Sequence, residues 1–103
     1  MDFKKYRALV AKVAEKVDGV PLREDASGVD LFWPILERMR QEGAVVLLKL
    51  DGGRNDEENG PYTAVVSGRP LKGAFFRTDA YSIEEALAYI IVEYARLQWH
   101  FSE

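Results

Sequence analysis

The chain of 103 residues is 48% apolar, carries 14 Lys and Arg against 17 Asp and Glu for a net charge of −3, and contains no cysteine. Such a length fits a single domain, residues 1–103, with enough apolar material to bury a core. The balance of charge argues against nucleic-acid binding, and the missing cysteine excludes disulfides, thiolate zinc sites and cysteine nucleophiles.

The apolar runs are too short for a membrane span, and the expected location is the cytoplasm. Asp2 is placed to cap a first helix, Phe3 to Val17. Phe3, Tyr6, Val10, Val13 and Val17 form its stripe, with Leu9 and Ala14 beside them and the lysines facing water. Gly19 and Pro21 stop it. Val20 to Val29 reads as an irregular connection. Asp30 then caps a second helix, Leu31 to Glu42. Pro34 sits in its first turn, Phe32, Ile35, Leu36 and Met39 form its buried stripe, and Gly43 closes it.

Ala44 to Leu50 (AVVLLKL) is apolar on both faces except at Lys49, which predicts the central strand of a sheet. Tyr62 to Ser67 and Gly73 to Thr78 are the second and third strands, with the short GRPLK connection between them predicting a hairpin. Asp51 to Pro61 is a long polar loop containing Asp56, Glu57 and Glu58. Ser82 to Leu97 is the strongest helix. Ser82 and Glu85 make a capping box in which Glu85 reaches back to the Ser82 N–H. Ile83, Leu87, Ile90, Tyr94 and Leu97 form the stripe that packs on the sheet. The order α-α-β-β-β-α predicts an α+β domain: a three-stranded antiparallel sheet with helices packed mainly on one face. Its ending is similar to that of many small phage, toxin-immunity and antitoxin domains of bacterial type, but the motif is generic capping chemistry and names no family.

No residue set points to catalysis. His100 is the one histidine and lies near the C-terminus, where chains fray. The acidic loop does not match an EF-hand, since glycine and tyrosine fall where ligands belong. No cofactor, metal or catalytic residue is therefore assigned. The aromatic residues carry more information. Phe75 and Phe76 are adjacent on a strand and point to opposite faces, and Tyr89 lies away from the main stripe of its helix. Unless helices split between the two sheet faces, one aromatic is left open, and exposed aromatics anchor protein interfaces.

The leading expectation is thus a non-catalytic protein-binding module of the immunity or inhibitor type. Asp51, Asp56, Glu57, Glu58, Phe75 and Tyr89 would be its contact residues, and another protein with a basic surface its partner. The alternatives are a small-ligand or anion-binding domain using Arg69, Lys72 and Arg77, and a homo-oligomeric structural domain, a dimer in the simplest case.

Overall fold

A computed structural model of the chain describes residues 3–18, 32–53 and 60–102. The elements are α1 (Phe3–Asp18), α2 (Trp33–Gln41), β1 (Ala44–Leu50), β2 (Tyr62–Gly68), β3 (Phe76–Ala80) and α3 (Ile83–Gln98), with a 3-10 turn at Arg69–Leu71. The expected caps at Asp2 and Asp30, and the stop at Gly19 and Pro21, lie outside the described residues.

The three strands form one antiparallel sheet in the order β1-β2-β3. The central strand is therefore β2, and β1 is an edge. The reading of AVVLLKL as a central strand is corrected here. Its continuous apolar run reflects exposure on both sides rather than burial, with Val45, Leu47, Leu48 and Leu50 between 39% and 61% exposed. The third strand also starts later than the sequence predicts. Residues 69–75 go into the 3-10 turn and the bend after it, where Lys72 (φ 51) and Gly73 (φ 92) adopt left-handed backbone. Phe75 therefore precedes β3 instead of belonging to it.

The pairing register divides the sheet into two faces. Ala44, Val46, Leu48 and Leu50 share a face with Tyr62, Ala64 and Val66 and with Phe76, Thr78 and Ala80. This face meets the helices, α3 over β2 and β3 and α2 over β1. Ala64, Val66 and Ala80 are buried beneath them. The helix α1 packs on α3 instead of on the sheet. All the described helices thus lie on one side, and they are not divided between the two faces.

This stacking makes α3 an interior helix. Leu87, Ile90 and Ile91 are buried, and so is Val92, because α1 covers the side that the sheet does not. From α1, Leu9, Val10, Val13 and Ala14 are buried in the same core; Phe3 and Val17 lie outside the described side chains. At the C-terminal end of α3, Leu97 is 50% exposed, so the buried stripe stops at Tyr94. At the start, Ser82 Oγ accepts from the Glu85 N–H at 3.1 Å, as a capping box requires. The Glu85 carboxylate accepts instead from the Tyr81 N–H at 3.2 Å, one residue earlier than the sequence predicts.

In α2, Phe32, Ile35, Leu36 and Met39 are buried as expected. The helix ends at Glu42, followed by Gly43 in left-handed backbone at φ 101. Near its C-terminal end the described chain is held against α3. His100 turns the chain with φ 54, the Phe101 N–H returns to the Ala95 carbonyl at 3.1 Å, and the Phe101 ring is 6% exposed.

Candidate functional site

The second face of the sheet carries Val45, Leu47 and Lys49 from β1, Thr63, Val65 and Ser67 from β2, and Arg77 and Asp79 from β3. Among the described residues, no helix covers it. Its β3 side is polar and internally satisfied. Arg77 pairs with Asp79 at 3.1 Å, and the Thr63 hydroxyl donates to the same carboxylate. Its β1 side is apolar, with Val45 49% and Leu47 60% exposed. At the end near the 3-10 turn, Phe75 is 61% exposed and borders a groove of about 570 Å³ with Val65, Ser67, Gly68 and Ala74. Two glycines shape the ends of the sheet. A Cβ on Gly68 (φ 110) would lie 2.6 Å from the Gly43 carbonyl oxygen. One on Gly60 (φ 93) would lie 2.1 Å from that of Ala80.

The edge of β1 has a definite polarity. Asp51 N–H donates to the Pro61 carbonyl at 2.8 Å, and these two residues continue the β1–β2 register. Antiparallel ladders alternate between pairs that exchange hydrogen bonds and pairs that do not. The backbone groups of Val45, Leu47 and Lys49 are therefore turned toward β2. Those of Ala44, Val46, Leu48 and Leu50 point outward, and no described residue takes them. On β3 the same alternation turns Arg77 and Asp79 outward.

Beside the β1 edge, on the helix side, is a second groove of about 300 Å³. Trp33 and Leu36 of α2 wall it together with Ala44 and Val46, and Glu37 and Arg40 stand at its rim. Trp33 is 55% exposed. Arg40 Nε donates to Glu37 at 2.7 Å, so the rim charges are matched to each other.

Of the residues predicted from sequence, Asp51, Phe75 and Tyr89 lie apart from one another. Asp51 is at the β1–β2 loop end of the sheet, where it accepts from the Gly53 N–H at 2.9 Å and pairs with Lys49 at 3.5 Å. Phe75 is at the other end, about 20 Å away along a seven-residue strand. Tyr89 is half-buried on the far side of α3, its ring 5.4 Å from that of Tyr6 of α1. Asp56, Glu57 and Glu58 lie outside the described residues. Of the basic trio, Arg69 and Lys72 share the 3-10 turn, where the Lys72 N–H donates to the Arg69 carbonyl at 3.1 Å. The Arg69 guanidinium sits over Gly43 at the start of β1, Lys72 is exposed in the turn, and Arg77 is held by Asp79.

One cluster was not anticipated from the sequence. The Glu42 carboxylate accepts from the Tyr94 hydroxyl at 2.7 Å and from the Trp99 indole N–H at 2.8 Å, and pairs with Arg38 at 3.5 Å. Arg38 also stacks 5.7 Å from the Trp99 ring centroid. Burial, reinforced by the bond to Glu42, pushes the Tyr94 hydroxyl well above its ordinary pKa of 10. Burial and Glu93 likewise raise Tyr6, whose hydroxyl donates to Glu93 at 3.1 Å. Glu42 thereby fastens the end of α2 to the end of α3. Every buried polar side-chain atom among the described residues has a partner. In sequence, Glu42 was only the last polar residue of a helix; a contact spanning more than fifty residues leaves no local signal.

Among the described residues, no group of three or more His, Cys, Asp or Glu is disposed to hold a metal ion. No described helix is long and apolar enough to cross a membrane. No family model matches the chain, and neither a curated protein nor a solved structure matches it.

Proposed function

We propose that the protein is a non-catalytic protein-binding module of the immunity or inhibitor kind, which contacts another macromolecule through the uncovered face of its sheet. The observation that carries this reading is Phe75, 61% exposed beside a groove on a face where Val45 and Leu47 are also open. Aromatic residues set in apolar surroundings with a polar border supply most of the energy of typical protein interfaces. The Arg77–Asp79 pair and Thr63 form such a border here. The acidic loop at the other end of the sheet would act on encounter with a basic partner and not on the final contact.

The test is affinity capture from the source cells with three baits: the wild type, Phe75→Asp and Leu97→Asp. Leu97 is similarly exposed, at 50%, but lies on α3. The reading expects a protein retained by the wild type and Leu97→Asp and lost with Phe75→Asp. Equal retention by all three baits would remove the sheet face from the function.

A further inference from the structure

We infer that β1 is the seam of a symmetric dimer, in which two copies of this chain pair their first strands antiparallel about Leu47 into a continuous six-stranded sheet. The inference concerns the edge of the sheet, a different surface from the face proposed above for a partner.

Three independent features fit one register. The first is the backbone. The outward groups belong to Ala44, Val46, Leu48 and Leu50. Hydrogen-bonded pairs across a new antiparallel seam must be drawn from this set. With the two-fold axis at Leu47, Ala44 of one copy meets Leu50 of the other and Val46 meets Leu48. All four residues on each chain are then used, for about eight new backbone hydrogen bonds. An axis one residue away in either direction leaves at least one of the four without a counterpart inside the strand.

The second feature is shape. Leu48 and Leu50 lie on the helix side of β1 but beyond the reach of α2, 39% and 61% exposed. Ala44 and Val46, at the other end of the strand, floor the groove walled by Trp33 and Leu36. The Leu47 register brings the exposed leucines of each copy opposite the grooved end of the other. Each chain thus supplies both the projecting side chains and the recess, as an isologous interface requires. On the other face Leu47 meets its own copy across the axis.

The third is charge. Lys49 falls opposite Val45 of the second copy, so no like charges are opposed, and its stem can lie along that apolar surface. Among the described residues the strand also shows none of the devices that keep edges apart. It has seven residues with no proline and a single charge. β3, by contrast, is five residues long and turns Arg77 and Asp79 outward.

The chain has no cysteine, which permits a direct test by oxidation of single-cysteine variants. Leu47→Cys should form an intermolecular disulfide almost completely, because directly opposed residues in a non-hydrogen-bonded pair have Cα atoms about 4.5 Å apart, within disulfide range. Val45→Cys should not, since its copies would be about 14 Å apart along the seam. Light scattering should give the wild type a mass twice the 11.7 kDa of one chain. Leu48→Pro, which removes only an outward N–H, should give a folded monomer by circular dichroism. A wild type that stays monomeric at several hundred micromolar would overturn the inference, as would equal crosslinking of the two cysteine variants. Either result leaves the Phe75-dependent capture of a partner unaffected, so the two claims fail separately.

Discussion

The two outer strands of the sheet face the same solvent and are built in opposite ways. The outward backbone groups of β3 belong to Arg77 and Asp79, whose side chains pair with each other and with Thr63. Those of β1 belong to Ala44, Val46, Leu48 and Leu50, flanked on both faces by exposed leucine and valine. One edge is five residues long and carries charged residues at its outward positions. The other is seven residues long and apolar at its outward positions, and no described residue pairs with it. Edge strands are ordinarily protected against pairing, and of the two edges only β1 carries no charge at its outward positions.

The largest effect expected from this comparison separates the covered side of the sheet from the open one. Ile90→Ala, in α3 beneath full cover, should cost about 2–5 kcal/mol in chemical denaturation. Leu47→Ala removes as much hydrocarbon from the open strand and should cost under about 1 kcal/mol when measured in a monomeric background such as Leu48→Pro. Equal costs would mean that Leu47 is covered and the edge is not free.

Next is the locked side of the sheet. Gly60→Ala places a methyl group 2.1 Å from the Ala80 carbonyl at the end of β3, in backbone that a side chain strains. It should destabilise by more than about 1 kcal/mol, read as a shift in denaturation midpoint. Gly73 has a similar φ of 92 and nothing near its Cβ position, so Gly73→Ala should cost less.

A smaller effect tests the fastening of α2 to α3. Tyr94→Phe removes a hydrogen bond to Glu42 and should cost about 1–3 kcal/mol. The pH dependence has a definite sign. The folded-state pKa of Tyr94 is raised above its ordinary 10, so above pH 10 the unfolded chain releases this proton while the folded chain keeps it. Stability from this group is complete below pH 10 and falls as pH rises beyond it, and Tyr94→Phe should flatten that fall. The smallest effect is expected at Phe75. With its ring 61% exposed, Phe75→Ser should change stability by no more than about 0.5 kcal/mol. A larger loss would make the ring part of the core and remove it from the proposed binding face.

The fold was legible wherever local chemistry decides it. The Ser82 cap, the stop at Gly43 and the buried sets of α2 and α3 are short-range patterns, and the structure keeps them. The order of strands was not legible, because AVVLLKL reads alike whether its two faces are buried inside a sheet or partly exposed at its edge. The surroundings of Tyr89 were not legible for a related reason. A helix enclosed by a sheet and another helix is apolar all round, and its period does not reveal what lies on the second side. Asp51 and Phe75 were each identifiable as loop and aromatic residues, but only the register shows them at opposite ends of β2. The Glu42 cluster joins residues too distant in sequence for any local pattern to reveal.

The most direct test of the open edge is amide hydrogen exchange, resolved residue by residue by NMR, in the wild type at high concentration and in the Leu47→Lys variant. The account predicts that Val45, Leu47 or its replacement, and Lys49 are protected in both, being bonded to β2. Val46, Leu48 and Leu50 should be protected in the wild type and exchange freely in the variant, where two lysines would face each other across the seam. Free exchange at these three positions in the wild type, or protection at them in a monomeric variant, would contradict it.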